Sequence, residues 1–241
     1  MARVKDDVFR DPARPIADFT FNEETASVFP DMLERSVPFY HEIQRMLVEL
    51  ATDFAVDDTN VCDIGCSTGT TLRALDALSQ DVTLIGFDSS PAMLAEADAF
   101  LRGALRHPHE LRCADLNQSL RIENASVVVM SLTLQFVRPL QRERVLREIS
   151  EGVNHNGCLL LVEKIVAEES MLNRLYIQHY YEFKQRNGYS ELEIARKREA
   201  LENVLIPYRA EENDAMLRSV GFRAVDVFFK WYNFVGLVAF K

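Results

Sequence analysis

The chain has 241 residues, enough for one large or two small domains, and folding should bury roughly three quarters of its unfolded surface. Apolar residues make up 48% and charged residues 27%, with 9 Gly and 8 Pro, which excludes a disordered, collagen-like or low-complexity protein. The 27 Lys and Arg are outnumbered by 37 Asp and Glu, and the net charge of −10 disfavours binding along a nucleic-acid backbone.

Short β-rich apolar runs alternate with helical patterns from residue 60 onward, which is typical of a parallel sheet covered by helices on both faces. The predicted strands are 60–64, 82–87, 110–113, 125–132 and 158–163. The predicted crossover helices are 69–78, 91–103 and 141–152. Ser90 is the expected N-cap of the second helix, with Pro91 at its first position.

The last part of the chain has a different pattern. Two β-rich runs, 223–229 and 233–240, are joined by a connection too short for a parallel crossover, so they predict an antiparallel hairpin. Five parallel strands closed by such a hairpin, with its last strand inserted antiparallel, resemble the Rossmann-like α/β fold of class I S-adenosylmethionine-dependent methyltransferases. On this basis we predict one domain over residues 1–241.

Two segments lie outside the alternation. Residues 1–58 include a helix from about 38 to 54, which predicts a helical extension at the N-terminus. In residues 167–207, aromatic residues at helical spacing end at an Asn-Gly pair, and Ser190 with Glu193 forms a capping box for a second helix. Such a helical insert is too long for a plain connector, which favours a lid, an oligomer contact, or both.

The turn after the first strand reads D-I-G-C-S-T-G at 63–69, and its glycines allow a tight turn and close approach of a ligand. It lacks the later glycines of a dinucleotide motif and the Gly-Lys pair of a P-loop, which disfavours NAD and ATP. An acidic residue followed by G-x-x-x-G resembles the first motif of class I methyltransferases, which implies S-adenosyl-L-methionine as the cofactor. The residues assigned to the cofactor on this basis are Asp63, Gly65, Cys66, Ser67 and Gly69.

Two acidic residues follow the next strands. Asp88 ends the second strand, where a carboxylate can accept both hydroxyl hydrogens of a ribose. Asp115 follows the third strand at the position where this superfamily usually approaches the adenine amino group, so Asp115 and Leu116 are predicted adenine contacts. Either residue alone would be read as a solvated loop residue; together they favour a cofactor site.

Several sequence blocks resemble the carboxy-S-adenosyl-L-methionine synthases, which prepare a cofactor for modification of the wobble uridine of bacterial tRNA. The most specific block is F-K-Q-R-N-G-Y-S-E-L-E-I at 183–194, and the similarity continues to 204. Further matching blocks lie at 21–23, 28–32, 35–38 and 133–136. The resemblance therefore runs through most of the chain.

This resemblance implies a reaction in which prephenate loses carbon dioxide, the deprotonated sulfonium methyl of S-adenosylmethionine captures it, and phenylpyruvate is released. It also implies that Arg198 clamps the growing carboxylate from the neighbouring subunit of a homodimer, with Tyr40 as the second catalytic residue, and that both touch the cofactor. Arginine suits this role because its planar fork holds a carboxylate by two hydrogen bonds. Without the resemblance, Arg198 would be read as a solvated helix residue and Tyr40 as a packing anchor.

The chain departs from the family at four places. Ser89 and Ser131 replace cofactor-side asparagines, Phe39 replaces a glycine before Tyr40, and 67–71 has a more methyltransferase-like turn. Serine still donates and accepts hydrogen bonds, so Ser89 and Ser131 remain predicted cofactor ligands. These departures leave two alternatives open: a methyltransferase acting on a small molecule or tRNA, and a non-catalytic cofactor-binding subunit.

The remaining patterns concern location and partners. No run approaches the about 18 apolar residues of a membrane span, and the first twenty residues lack the apolar core of a secretory signal. Reduced thiols and no metal site are expected from the cysteines, which are Cys62, Cys66, Cys113 and Cys158. A basic strip, read as solvated, is formed on one helix by Arg138, Arg142, Arg144 and Arg147. We predict a cytoplasmic protein that takes prephenate and binds neither membranes nor nucleic acid directly.

Overall fold

The computed structural model describes residues 4–241. Within this range the strands are β1 Thr59–Ile64, β2 Val82–Asp88, β3 His109–Cys113, β4 Ala125–Ser131, β5 Val153–Lys164, β6 Ala224–Trp231 and β7 Phe234–Phe240. The helices are α1 Glu23–Ser36, α2 Tyr40–Phe54, α3 Thr70–Leu75, α4 Pro91–Leu101, α5 Pro139–Gly152, α6 Ser170–Arg186, α7 Glu191–Leu201 and α8 Ala210–Ser219. A 3₁₀ turn lies at Leu134–Phe136.

All these strands join one sheet in the order β3-β2-β1-β4-β5-β7-β6. Strands β1 to β5 are parallel, and β7 is antiparallel between β5 and β6. The predicted fold class and inserted last strand are therefore confirmed. The chain order of the strands reverses between β1 and β4, and in open α/β sheets such a reversal places the ligand crevice at the carboxyl ends of the strands.

Both faces of the sheet are covered, as continuous apolar strands require. In β4, Val127 and Val129 pack into one core with α2, whereas Val128 and Met130 pack into the core on the opposite face. All four side chains are fully buried. The carboxyl ends of the central strands are thus held rigidly between two packed layers.

Several predicted boundaries were wrong by a few residues. Helix α3 is Thr70–Leu75 rather than 69–78, because Gly69 has a left-handed φ of +83° and cannot be its first helical residue. Helix α4 ends at Leu101 rather than 103, although the predicted Ser90 cap is confirmed by a 3.1 Å bond from the Met93 N–H to Ser90 Oγ. Helices α1 and α8 had no predicted bounds.

The N-terminal extension and the helical insert pack against each other. Phe19, Val28 and Met32 form a cluster with Ala200 of α7. Arg35 on α1 donates from Nε to the carbonyl of Asn187, 2.9 Å away, at the end of α6. The predicted helical hairpin is confirmed: α6 and α7 follow each other, and α7 begins with the predicted capping box. These two segments form the wall that faces the crevice.

The predicted solvated strip on α5 is wrong. Arg142 is only 1% exposed, and its guanidinium donates to the carbonyls of Val137 at 3.0 Å and Ile206 at 2.6 Å. Arg144 donates to the Leu116 carbonyl at 2.7 Å. These arginines satisfy loop carbonyls that have no strand partner, so the four arginines do not form a continuous basic surface.

The predicted state of the thiols is confirmed. All four cysteines are free, and three are buried, namely Cys62, Cys66 and Cys158. Burial raises the pKa of Cys62 to about 12, so this thiol stays protonated at neutral pH. Buried thiols of this kind pack as small apolar side chains.

Candidate functional site

A cavity of ≈ 390 Å³ opens at the carboxyl ends of β1, β2 and β4. Ten of the twelve predicted site residues line it, and these are Tyr40, Gly65, Cys66, Ser67, Asp88, Ser89, Asp115, Leu116, Ser131 and Arg198. The sheet edge supplies one side, and α1, α2, α6 and α7 supply the other. The predicted residues are thus brought together from distant parts of the chain.

The glycine turn after β1 forms the deepest part of the sheet side. Gly65 has a φ of +78°, and its N–H and that of Cys66 both donate to the Phe87 carbonyl, at 2.7 and 2.9 Å. A Cβ on Gly65 would lie 2.2 Å from Thr133 Oγ1. The turn therefore accepts only glycine there, and its backbone stands open to a ligand.

Two predicted residues, Asp63 and Gly69, are not among those that line the cavity. Gly69 caps α3, and a Cβ there would lie 3.0 Å from Leu101 Cδ1. Asp63 is 2% exposed, and its Oδ2 has no hydrogen-bond partner. Burial, together with the charge of Asp88, raises the pKa of Asp63 to about 8. A cation held nearby would stabilise its charged form.

Asp88 is fixed between the glycine turn and α4. Its Oδ2 accepts from the Ser67 N–H at 2.9 Å, and its Oδ1 accepts from the Ser90 N–H at 2.8 Å. Burial raises the pKa of Asp88, whereas these backbone hydrogen bonds lower it. Each carboxylate oxygen accepts more than one hydrogen bond, so both can still receive a hydroxyl from the cavity.

The next acidic residue, Asp115, lies beside Asp88. The Ala114 N–H donates to the Asp88 carbonyl at 2.9 Å, which joins the loop after β3 to the end of β2. Oδ1 of Asp115 accepts from the N–H of Asn117 at 2.9 Å, and so stabilises the loop's own turn. The Arg144 bond to the Leu116 carbonyl then holds this loop from α5.

The opposite wall carries Tyr40 and Arg198. Tyr40 is the first residue of α2 and is 8% exposed. Phe39 before it has a left-handed φ of 54°, which gives a physical reason for the glycine implied by the family resemblance. Arg198 lies in the last turn of α7 and is exposed in the single chain while it lines the cavity.

Sequence reasoning missed several polar residues of the cavity, among them Gln44, Lys184 and Lys197 on the helices and Lys164 at the end of β5. Gln44 follows Tyr40 by one helical turn, so the two share a helix face, and this spacing was the sequence signal that could have placed Gln44 in the site. The cavity thus has carboxylates at the glycine turn and mostly basic side chains at the insert, where Glu202 is the one acidic residue among the described residues that line it. Within residues 4–241, no group of three or more His, Cys, Asp or Glu could hold a metal ion.

Comparison with known proteins identifies the family. A family model described as a methyltransferase domain matches residues 61–157. A carboxy-S-adenosyl-L-methionine synthase from Methylococcus capsulatus is 57% identical over 240 residues, which are 98% of this chain and 99% of that protein. The chain belongs to the carboxy-S-adenosyl-L-methionine synthase family. Another synthase, from Nautilia profundicola, is 41% identical over 99% of this chain and 100% of its own length.

Solved structures show the same fold at low identity. The S-adenosylmethionine-dependent methyltransferase SibL superposes with a TM-score of 0.60 at 16% identity, over 91% of this chain and 58% of that one. An O-methyltransferase family protein from Burkholderia thailandensis gives 0.64 at 15% identity, over 95% of this chain and 65% of that one. The class I methyltransferase fold is thereby confirmed, and family membership makes the chain a transferase that uses S-adenosyl-L-methionine.

Proposed function

We propose that the chain carboxylates S-adenosyl-L-methionine with prephenate as the carboxyl donor, and that its product serves modification of the wobble uridine of tRNA. The observation that carries this proposal is that Arg198, on the helical insert, lines the same cavity as the glycine turn after β1. A methyltransferase needs the turn alone, whereas a carboxylating enzyme also needs a fixed cation for the new carboxylate.

The residues of the sheet edge fit S-adenosyl-L-methionine. The turn at Gly65 would hold the methionine part, Asp88 the ribose hydroxyls, and Asp115 with Leu116 the adenine. A cationic ligand at the Gly65 turn would favour the ionised form of Asp63, whose Oδ2 has no hydrogen-bond partner and whose pKa burial raises to about 8. When bound, the cofactor supplies a methyl carbon made acidic by its sulfonium neighbour.

Arg198 and Tyr40 act on the opposite side of the cavity. Arg198 would hold the carboxylate as its new carbon–carbon bond forms, and Tyr40 would border the same space. The atoms balance when the carbon–carbon bond to the ring carboxyl of prephenate breaks and the ring hydroxyl leaves with one methyl hydrogen as water. The products are then phenylpyruvate and the carboxylated cofactor. Aromatic side chains line the same cavity and limit access of water, among them Phe19, Phe21, Phe29 and Phe136.

Mass spectrometry of the nucleoside after incubation tests this function. The purified protein with S-adenosyl-L-methionine and prephenate should yield a cofactor in which a carboxyl group replaces one hydrogen, together with phenylpyruvate. Omission of prephenate should abolish both products. Formation of S-adenosylhomocysteine without any need for prephenate would instead favour the methyltransferase alternative.

Arg198 lines the cavity of its own chain. Exposed apolar side chains on the insert support a homodimer in which the partner subunit's Arg198 would take that place. Met171, Leu172 and Leu175 on α6 are 55%, 39% and 42% exposed. Exposed apolar surface of this kind on the same helical insert as an exposed Arg198 is typical of an association face. An arginine that reaches across such a face would couple assembly to activity.

The whole chain is proposed to act as one cofactor-binding domain in the cytoplasm. Over residues 4–241, no helix combines the length and apolarity needed to cross a membrane. The net charge of −10 disfavours direct contact with nucleic acid. Modification of tRNA would then use the released product.

Replacing Asp88 by alanine should weaken binding of S-adenosyl-L-methionine by about 5- to 150-fold, or roughly 1–3 kcal/mol, because the ribose acceptors are lost. Titration calorimetry measures the change. The matched control is Asp98→Ala, which removes an exposed carboxylate of α4 paired with Arg102 outside the cavity and should leave the Kd unchanged. A wild-type Kd in the Asp88 variant would contradict its ribose role.

A further inference from the structure

Three lysines from three different elements line the end of the cavity formed by the insert; we call them the lysine cluster. Lys164 ends β5, Lys184 lies on α6, and Lys197 lies on α7. Lys184 is 5% exposed and Lys197 is 6% exposed. Since β5 lies two strands from β1, and strands are about 4.8 Å apart, Lys164 ends roughly 10 Å from the strand that carries the glycine turn.

Two tyrosine rings support the ammonium groups of the cluster. Nζ of Lys164 lies 4.7 Å, and Nζ of Lys184 5.3 Å, from the ring centre of Tyr180. Nζ of Lys184 lies 5.5 Å, and Nζ of Lys197 5.6 Å, from the ring centre of Tyr189. A cation over an aromatic face gains electrostatic attraction without losing its charge. The rings therefore hold three amines close together and stabilise their protonated form.

Carboxylates compensate this charge only in part. Nζ of Lys197 lies 3.8 Å from Asp6 Oδ2, which also accepts a hydrogen bond from the Tyr189 hydroxyl. Within residues 4–241, neither Lys164 nor Lys184 lies within ion-pair distance of a carboxylate. Burial lowers the pKa of Lys184 well below its usual value, and the charges of Lys197 and Lys164 lower it further. A buried cluster with this imbalance is costly to the fold.

Gln44 supplies a second, independent observation in the same cavity. Its side chain is buried at 7% exposure, and neither its amide oxygen nor its amide nitrogen has a hydrogen-bond partner. It lies on α2, one turn beyond Tyr40. Native structures rarely leave both ends of a buried amide unpaired, so this residue offers one donor and one acceptor to a bound molecule.

The geometry points to a binding pocket for the carboxyl donor, in which the lysine cluster binds the carboxylates of a small dicarboxylate and Gln44 hydrogen-bonds its remaining polar group. This assignment rests on the proposed function, which supplies the donor. The two ends of the cavity differ in charge: Asp88 and Asp115 face a cationic cofactor, and the lysines face an anion. Lys197 directly precedes Arg198 on α7, so one helix carries both a residue of the donor site and the arginine of the clamp.

Such a pocket would also drive product release. Prephenate carries two carboxylates and phenylpyruvate carries one, so transfer of a carboxyl group removes one of the anions that the cluster binds. The remaining monoanion compensates less of the buried positive charge and dissociates more readily. The site would thereby discriminate between donor and product by charge alone.

The test uses Lys164→Met and Lys184→Met, which keep much of the side-chain volume and remove the charge. Each should raise the KM for prephenate about 10- to 100-fold, leave the Kd for S-adenosyl-L-methionine within about twofold, and leave Tm unchanged or higher. A lysine with only a structural role would instead lower Tm and leave the KM unchanged. The matched control is Lys230→Met, which removes an exposed lysine of β6 outside the cavity.

A further variant and a direct binding measurement distinguish failure of the pocket from failure of the proposed function. Gln44→Leu has no charge to lose and should also raise the KM for prephenate, while calorimetry measures prephenate binding to the cofactor-loaded protein directly. If the wild type carboxylates but all three variants bind prephenate normally, the pocket is refuted and the function stands. If the wild type binds prephenate without turnover and the variants do not bind it, the function fails and the pocket stands. A wild type that does not bind prephenate refutes the pocket.

Discussion

Replacing Arg198 by alanine should leave the affinity for S-adenosyl-L-methionine near that of the wild type and lower carboxylation by on the order of 10²- to 10³-fold. The guanidinium meets its partner only when the new carboxylate forms, so its loss weakens the later state and not cofactor binding. Release of phenylpyruvate measures the rate, and titration calorimetry measures the Kd. Arg198→Lys keeps the charge but loses the bidentate fork, so its carboxylation rate should lie between those of the wild type and Arg198→Ala.

The control for this prediction is Arg186→Ala. Arg186 is also exposed and lies in the last turn of α6, but it does not line the cavity. Its removal should leave both the rate and the Kd unchanged. Carboxylation at the wild-type rate by the Arg198→Ala protein would remove Arg198 from the mechanism.

The origin of the arginine, from the same chain or from the partner subunit, can be decided by complementation. A protomer with Arg198→Ala keeps the cofactor site but lacks the clamp, and a protomer with Gly65→Ala lacks the cofactor site but keeps Arg198. If Arg198 acts across a dimer, mixed dimers contain one complete site, and an equal mixture recovers about one quarter of wild-type activity. If it acts within its own chain, the mixture stays inactive.

The fold was predictable because its signals are local. Continuous apolar runs marked the buried strands, and the short connection before β7 excluded a parallel crossover. The start of β5 was not predictable, because Asn154, Asn156 and Gly157 have the composition of a turn. The structure pairs Ala125 with Val153 through an irregular register, which the sequence does not signal.

The two sides of the site also differ in how far local sequence signals predict them. The sheet side was predictable because Gly65 and Asp88 lie at fixed distances from strands that the apolar pattern defines. The lysine cluster was not, since Lys184 and Lys197 have polar neighbours in sequence that favour solvent exposure, and only the packing of the insert on the sheet buries them. Arg142 was misread for the same reason. Lys164 ends a strand, where a lysine commonly reaches solvent.

Gly65→Ala should raise the Kd for S-adenosyl-L-methionine by at least about 100-fold, roughly 3 kcal/mol, and lower Tm. An alanine at a φ of +78° adds about 1–2 kcal/mol of backbone strain, and its Cβ would overlap Thr133 Oγ1 at 2.2 Å. Either effect displaces the turn whose backbone borders the cavity. Calorimetry and thermal unfolding measure the two consequences separately.

The two causes can be separated by a second substitution. Thr133 also lines the cavity, so Thr133→Ala alone measures what its side chain contributes to binding. Its hydroxyl donates to the Ser131 carbonyl at 3.1 Å, and we expect a loss of affinity much smaller than that of Gly65→Ala. Combined with Gly65→Ala, it removes the two closest overlaps, at 2.2 and 2.5 Å, and leaves the 2.9 Å approach of the residue-133 Cβ together with the strain. The double variant should therefore regain part of the lost affinity and part of the lost Tm. A double variant no better than Gly65→Ala alone would show that the overlap with Thr133 is not what requires glycine. Normal affinity in the Gly65→Ala variant would show that the turn does not support the cofactor.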